Sequence, residues 1–238
     1  MGMAMTLFSL GARLALCASM VRPGAALADV GTDHAYLPVW LAKQGLISKA
    51  VASDVRPGPL ERAKRNIQKF GVGNAVEARL CDGLDGILPE EADDIVIAGM
   101  GGQLIAEIVS RAVWLENPGK HMILQPMTRE EHLRRSLAEH GFSILREQAV
   151  LEERHVYTVM LCAYDPCGSP QSGLFPYIGL LRADTPENRA YLRREKKRLL
   201  NRANGLTASG NGEEAAKFFR IREQIGAMLE SEIPESEE

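Results

Sequence analysis

The feature that most constrains this chain is a regular alternation of two hydrophobic patterns over residues 26–125. Short apolar runs rich in β-branched residues predict strands at 26–30, 50–54, 76–81, 95–98 and 122–125. The segments between them have helical periodicity and predict helices at 35–44, at 60–70 after Pro59, and at 104–114. Strands that alternate with helices form βαβ units around a parallel sheet, so we predict an α/β fold.

The segment that follows predicts an antiparallel end to this sheet. Thr128 and Glu131 have the spacing of a capping box and predict a helix that runs to His140. Two further apolar runs, 144–151 and 156–163, are joined by a connection too short for parallel strands. Five parallel strands that end in an antiparallel hairpin are the arrangement of Rossmann-like class I methyltransferases, whereas dinucleotide dehydrogenases usually continue with further βα units.

The composition indicates one main core with an extension. The chain has 238 residues, of which 45% are hydrophobic and 25% charged, and no apolar run approaches the roughly 20 residues of a membrane helix. The first 20 residues lack a basic start and are interrupted by Arg13, which favours an amphipathic helix over a signal peptide. The four cysteines contain no C-x-x-C pair, so we expect reduced thiols, no metal site and a cytoplasmic protein.

The C-terminal part predicts a helical hairpin behind a boundary rich in proline, glycine and serine at residues 165–176. Thr185 is positioned to cap a helix to about Ala203, residues 205–212 read as a turn, and a second helix follows at 213–231. We therefore expect two domains, a Rossmann-like methyltransferase domain over residues 1–165 and a coiled-coil-like α-helical hairpin over residues 177–238, with a frayed acidic tail.

The first of these helices is unusually basic. Residues 182–202 carry eight lysines and arginines against three acidic residues. Arg193, Arg194 and Lys197 are candidates to bind nucleic-acid phosphates, and a solvated helix face is an equally good explanation of the charge. For Arg13 two roles also stay open, a phosphate contact and an ion pair with an acid near the predicted crevice.

The loop after the first strand favours S-adenosylmethionine as the ligand. It contains one glycine, Gly31, between Asp29 and Asp33, whereas a pyrophosphate site needs several glycines and few acids. The carboxylate of Asp29 suits the ammonium group of a methionine moiety, and Gly31 lets the backbone approach the ligand. The alternative is an acidic strand-to-helix loop without a ligand.

Two further acids stand at the ends of the next strands. Asp54 is placed to accept hydrogen bonds from ribose hydroxyls, and Asp82, followed by Gly83, is placed to accept from an adenine amino group. The carboxyl ends of neighbouring parallel strands open into one crevice, so the three acids support one another. Asp54 alone would fit a helix cap or a surface position before Pro57.

The fourth strand ends in a glycine-rich loop. Ala98 and Gly99 are predicted to line the cofactor, and Met100 and Gly101 to line the wall that receives a flat base. Many amino-group methyltransferases have an Asn/Asp-Pro-Pro-aromatic loop at this place, and this chain does not. Glycine would also be needed for a close strand-to-helix crossing without any ligand.

Over residues 10–164 the sequence resembles the bacterial TrmK family of tRNA (adenine(22)-N1)-methyltransferases. The resemblance rests on the strings LGARLALCASMV, ADVGTDHAYLP, AVASDV, CDGL, IVIAGMGG, ILQP and LEERHVYTV. It implies S-adenosylmethionine as cofactor, adenine N1 of tRNA as the methyl acceptor and a C-terminal hairpin of coiled-coil type. Two positions depart from the family pattern, Gly11, where a polar residue is expected, and Met127, where Asn or a similar residue usually stands.

For methylation of adenine N1 we take Asp33 and His34 as the catalytic candidates. A carboxylate beside the base would stabilise the positive charge that develops on it or accept an amino proton, and His34 would orient it. Tyr36 is predicted to stack on the base or to face the core. A small-molecule or other RNA methyltransferase and a non-catalytic tRNA-binding protein remain alternatives; we expect a monomer, although the sequence leaves the oligomeric state open.

Overall fold

The computed structural model describes residues 7–168 and 173–231. In this part of the chain seven strands form one sheet in the order β3-β2-β1-β4-β5-β7-β6. The strands are β1 Ala26–Val30, β2 Lys49–Asp54, β3 Val76–Leu80, β4 Asp94–Gly101, β5 His121–Thr128, β6 Phe142–Glu152 and β7 His155–Tyr164. The helices are α1 Ala12–Ala18, α2 Tyr36–Lys43, α3 Pro57–Phe70, α4 Gly102–Arg111, α5 Glu130–Glu139, α6 Phe175–Ile178, α7 Pro186–Ala208 and α8 Gly212–Ser231.

The pairing of the strands confirms the predicted fold class. Strands β1 to β5 are parallel, whereas β7 pairs antiparallel with both β5 and β6. The chain builds outward from β1 to β3 and then returns to place β4 on the other side of β1. This reversal opens a crevice at the carboxyl ends of β1 and β4, which is where open α/β sheets bind their ligands.

Helices cover both faces of the sheet and bury its β-branched residues. On one face Ile105 of α4 and Leu133 of α5 pack against the sheet with no exposed surface. On the other face Leu37 of α2 and Ala63 of α3 belong to a second cluster, which also includes Cys17 of α1. A sheet buried on both faces explains why its strands read as nearly continuous apolar runs.

Several predicted boundaries are wrong. β4 continues to Gly101 and β5 to Thr128, and α3 begins at Pro57 rather than after Pro59. The capping box is also wrong, because Thr128 ends β5 and the N-cap of α5 is Arg129, with φ of 56° and no side-chain cap. β4 and β5 extend beyond their apolar runs because they remain paired there, with register shifts on either side of Met100.

The C-terminal helices form the predicted hairpin with one correction. The Thr185 hydroxyl accepts a hydrogen bond from the Asn188 amide at 3.1 Å, so this cap is confirmed. The helix then runs through Gly205 to Ala208, although we predicted its end near Ala203. The N-terminal helix predicted within the first 20 residues is shorter than expected, because residues 7–11 are not helical and α1 comprises only Ala12–Ala18. Residues 1–6 and the acidic tail at 232–238 lie outside the described residues.

A buried polar network joins the helical hairpin to the sheet. The Arg134 guanidinium donates to Glu147 Oε1 at 2.6 Å and to the Tyr191 hydroxyl at 3.0 Å. The Arg134 and Glu147 side chains are fully buried, and Glu147 also accepts from Thr158 at 2.8 Å. Breaking such a pair leaves an uncompensated buried charge, so this network fixes α7 against β6 and β7.

Every helix in residues 7–168 and 173–231 is too short or too polar to span a bilayer. The cysteines of this part are free thiols, and Cys17 and Cys162 are buried. Desolvation raises the pKa of Cys17 to about 12, so that thiol stays protonated and packs as a small apolar group.

Candidate active site

Two adjoining cavities form a crevice at the carboxyl ends of the strands. The first has a volume of about 420 Å³ and the second about 310 Å³. Gly31, Arg56, Ala98 and Gly99 line both cavities, so the two spaces adjoin. Of the predicted site residues, the first also contains Arg13, Asp29, Asp33, His34 and Tyr36, and the second contains Asp54, Asp82, Gly83 and Met100. Gly101 does not line either cavity.

Asp29 supplies a buried carboxylate to the first cavity. It is the fourth residue of β1 and is 7% exposed. Burial raises the pKa of this carboxyl to about 6, and a hydrogen bond with the Thr32 side chain offsets part of that effect. A desolvated carboxylate is stabilised when a cation binds beside it, so this position favours an ammonium group as ligand.

Gly31 allows the two cavities to meet. Its φ is +77°, and a Cβ built on it would lie 2.0 Å from the Cε of Met100. Any side chain at position 31 would therefore be strained and would displace Met100 from the junction. The glycine is required both by the turn after β1 and by the methionine that packs over it.

The second cavity combines two acidic residues with an apolar wall. Asp54, at the end of β2, is 5% exposed and accepts a hydrogen bond from the Arg56 amide at 2.8 Å. Asp82 lies on the far side, exposed, with its carboxylate 3.3 Å from the Arg111 guanidinium. Apolar side chains of Val55, Leu104 and Ile108 complete the wall.

Gly83 has a φ of +57°, and a Cβ there would lie 3.1 Å from Ile108, so a larger residue would push into this apolar wall. Glycine at this position therefore keeps the second cavity open beside Asp82, and its contact with the cofactor stays a prediction.

The end of β4 is held by a residue that the sequence analysis missed. Gln125 is fully buried in β5, and its Oε1 accepts from the Gly99 amide at 3.1 Å and from Arg13 Nη1 at 2.7 Å. Its Nε2 donates to the Pro126 carbonyl at 2.8 Å. The signal was a polar residue inside the apolar run of β5, because a buried amide must find partners.

Arg13 satisfies one of its two predicted roles. Its guanidinium forms an ion pair with Glu152 at the end of β6, and its amide also donates to Glu152 at 3.2 Å. A Cβ on Gly11 would lie 2.6 Å from the same carboxylate, so the departure at this position leaves space for Glu152. Arg13 nevertheless lines the first cavity, so the phosphate role stays a prediction.

Asp33 and His34 lie together at the mouth of the first cavity. The Asp33 carboxylate pairs with Arg62 of α3 and lies 3.3 Å from His34 Nε2. The hydrogen bond from Arg62 lowers the pKa of Asp33, with smaller contributions from the charges of His34 and Arg62 itself. Asp33 is therefore an anion at neutral pH. Arg62, which no local sequence pattern marks, stabilises that anion.

The imidazole of His34 is oriented by its neighbours. The His34 and Tyr36 rings stack with centroids 4.9 Å apart and an interplanar angle of 12°. Phe8 contacts the Tyr36 ring edge-on at 5.0 Å, and Asn66 donates to the His34 carbonyl at 2.8 Å. Tyr36 is 42% exposed at the cavity rim rather than in the core.

The basic residues of α7 divide into two groups. Arg193 and Lys197 are exposed one helical turn apart. Arg194 instead donates to Glu130 at 2.6 Å and to the Val156 carbonyl at 2.8 Å, which places it in the contact between α7 and the sheet. The charge excess that the sequence shows is thus partly neutralised by acidic residues of α5. Among the described residues, no group of three or more His, Cys, Asp or Glu is arranged to hold a metal ion.

Comparison with known proteins finds the same kind of domain. Residues 10–160 match a family model described as a methyltransferase domain. The curated tRNA (adenine(22)-N(1))-methyltransferase of Bacillus subtilis is 34% identical over 172 residues, which are 72% of this chain and 72% of that protein.

Two solved structures extend the likeness to nearly the whole chain. The B. subtilis m1A22 tRNA methyltransferase TrmK has a TM-score of 0.83 at 26% identity, covering 92% of this chain and 99% of that one. A Streptococcus pneumoniae protein in complex with S-adenosyl-L-methionine has a TM-score of 0.78 at 31% identity, covering 90% and 97%.

Proposed function

The chain belongs to the TrmK family of tRNA (adenine(22)-N(1))-methyltransferases, and we propose that it transfers the methyl group of S-adenosylmethionine to N1 of adenine 22 in tRNA. The observation that carries this proposal is that the two cavities adjoin along four shared lining residues. In the second cavity Asp54 and Asp82 suit a nucleoside. In the first cavity Asp29 suits the amino-acid tail, and the mouth beside Asp33 and His34 is open.

The residues of the crevice fit the parts of this cofactor. Asp29 would bind the ammonium group, and Asp54 would accept hydrogen bonds from the ribose hydroxyls. Asp82 would accept from the adenine amino group, with the base against Leu104 and Ile108. The cofactor supplies a methyl group on a sulfonium, and the junction at Gly31 and Gly99 is where that group would face the first cavity.

The proposed catalysis depends mainly on how the adenine is oriented toward the methyl group. Adenine N1 has an in-plane lone pair that is largely unprotonated at neutral pH, so in-line attack needs orientation more than a strong base. The N1–methyl bond forms as the sulfur–methyl bond breaks, and the purine gains a positive charge. Asp33 would stabilise that charge or accept a proton from the amino group, with His34 and Tyr36 holding the ring.

The tRNA must present a base that is normally paired or stacked, so we propose that the adenine leaves the stack before attack. Met100, which packs over Gly31 where the two cavities adjoin, would contact its flat face, whereas Gly101 lies outside both linings and is not assigned this role. Arg13, Arg193 and Lys197 would bind phosphates, with Arg194 contributing from the sheet contact. We further propose a monomeric, metal-independent enzyme that acts in the cytoplasm, where tRNA is processed.

The test is incubation of the protein with labelled S-adenosylmethionine and two transcripts of one tRNA, with adenine or guanine at position 22. Nuclease digestion and nucleoside analysis should yield N1-methyladenosine from the first transcript only. Label in another RNA position or in a small molecule would replace this proposal by one of the alternative methyltransferases. Binding of tRNA without any methyl transfer would indicate a non-catalytic protein.

A further inference from the structure

A third cavity, of about 490 Å³, lies beside the candidate active site and shares no lining residue with its two cavities. It is formed by the end of β5, the tip of the β6–β7 hairpin and one face of α7. Its lining includes Met127, Leu151, Arg154, His155, Tyr157 and Arg194.

The side chains around this cavity combine aromatic rings with positive charge. The rings of His155 and Tyr157 lie 6.1 Å apart between centroids, at an angle of 32°. Arg154 is exposed, and Leu151 presents an apolar surface that is 42% exposed. None of the described residues that line the cavity is acidic. Rings for stacking together with cations for phosphate are the means by which proteins bind unstacked nucleotides.

Arg13 forms the wall between this cavity and the active site. It lines the first cavity, and its guanidinium carbon lies 5.3 Å from the centre of the Tyr157 ring. Its Nη1 is 3.7 Å from the sulfur of Met127, which lines the third cavity. A polynucleotide chain that places one base in the first cavity would therefore pass this wall with its next residue.

The far side of the cavity is rigid before any ligand binds. Arg194 stacks on the Tyr191 ring at 4.4 Å and is hydrogen-bonded to the Val156 carbonyl at 2.8 Å. Its Nε is buried and has no hydrogen-bond partner among the described residues. Its Nη2 pairs with Glu130 and Glu195. Arg194 therefore gives the cavity a preorganised side, which lowers the entropy lost when a ligand binds there, and the free positive charge among the described lining residues is that of Arg154.

We propose that the third cavity binds a nucleotide adjacent to the methylated adenosine of the tRNA substrate. Its base stacks on His155 and Tyr157, and the exposed Arg154 binds its phosphate. This subsite rests on the proposed function for the identity of the RNA. It would hold the strand next to the extruded base, so that the adenine stays in the first cavity during methyl transfer.

The test uses the double variant Arg154→Ala/His155→Ala, with Arg146→Ala as the matched control, since Arg146 is an exposed arginine of the same hairpin away from the cavity. Fluorescence anisotropy measures the binding of tRNA in the presence of S-adenosylhomocysteine. Loss of one stacking contact and one phosphate contact should weaken tRNA binding about tenfold or more. The control should stay within about twofold of the wild type, and the affinity for the cofactor product should be unchanged in both variants.

A second measurement identifies the occupant. Two transcripts are compared with the intact tRNA, one with an abasic site immediately 5′ of the target and one with an abasic site immediately 3′ of it. The wild type should bind one of the two more weakly than the intact tRNA. The double variant should bind that transcript and the intact tRNA with nearly equal affinity. The subsite would be overturned if the abasic site and the double substitution lowered the tRNA affinity additively, or if the double variant bound intact tRNA as well as Arg146→Ala does. Absence of methyl transfer by the wild-type protein would instead contradict the proposed function, because the binding comparison does not depend on turnover.

Discussion

The side-chain oxygen of Gln125 accepts the amide hydrogen of Gly99 at 3.1 Å, which ties the end of β4 to β5 at the junction of the two cavities. The same oxygen accepts from Arg13 at 2.7 Å. We expect Gln125→Leu to lower kcat at least tenfold, because two donors lose their acceptor at a cost of about 1–3 kcal/mol. Gln125→Glu keeps the acceptor and should retain more activity.

Steady-state kinetics with saturating tRNA, together with thermal unfolding of both variants, checks this prediction. A Gln125→Leu protein that is folded and as active as Gln125→Glu would show that the hydrogen bond to Gly99 does not position the site.

Asp29 should contribute to the affinity for the cofactor. We expect Asp29→Asn to weaken binding of S-adenosylmethionine by at least tenfold, since a carboxylate facing an ammonium group is replaced by a neutral amide. Isothermal titration at pH 8 measures the loss. Asp85→Asn is the matched control, because this exposed aspartate pairs with Arg111 outside the lining of the crevice. Equal affinities of the two variants would contradict the assigned role.

The same Asp29→Asn variant should be more stable than the wild type without cofactor. The folded-state pKa of Asp29 is about 6 against an ordinary 3.8, so this carboxyl favours folding most below pH 3.8 and loses that contribution as the pH rises through about 6. Above that pH the cost of ionising the buried group reaches up to about 3 kcal/mol. Thermal unfolding should therefore show a stabilised variant at pH 8 and a shrinking difference toward pH 4. A constant difference across this range would rule out the effect of ionisation.

Asp33 should act on turnover rather than on cofactor affinity. We expect Asp33→Ala to reduce the rate of methyl transfer at least a hundredfold while the affinity for S-adenosylmethionine stays within about threefold, because general acid–base and electrostatic contributions are of this order. Single-turnover kinetics and titration calorimetry separate the two quantities. Loss of cofactor binding alone would move Asp33 into the binding site.

Arg62 should set the pH range in which Asp33 works. Because Arg62 lowers the pKa of Asp33, Arg62→Ala should raise it, so that the carboxylate becomes protonated and activity falls at a higher pH than in the wild type. The pH profile of kcat/KM measures this shift. Glu61→Ala, an exposed change on the same helix that removes only a pair with Lys64, should leave the acid limb in place. Superimposable profiles of all three proteins would refute the coupling.

The exposed cations of α7 should contribute to tRNA binding through charge alone. Arg193→Glu/Lys197→Glu should weaken tRNA binding and reduce the slope of log K against log salt by roughly 1 to 2, as expected for two lost phosphate contacts. Arg194→Glu should instead lower the melting temperature, because it places an anion beside Glu130 and Glu195. If the double variant leaves affinity and salt dependence unchanged, α7 is not an RNA-binding surface.

Most of the fold could be read from local patterns. β1 was predicted residue for residue, and the antiparallel hairpin followed from the shortness of its connection. Errors lie where tertiary contacts override local preference. Pairing with β4 carries β5 through Thr128, so that residue could not act as a helix cap. Packing against α8 carries α7 through Gly205 despite its low helix propensity.

The sequence by itself determined the cofactor crevice, because strand ends are local features and acids that follow consecutive parallel strands must meet at one edge of the sheet. Only the tertiary structure decided which charges are available to a ligand. Asp33 pairs with Arg62, Arg13 with Glu152 and Arg194 with Glu130, and each pair joins residues at least 29 positions apart in the chain. Such pairings depend on how distant elements pack, and the same packing creates the buried Gln125 amide and the third cavity, which no local pattern encodes.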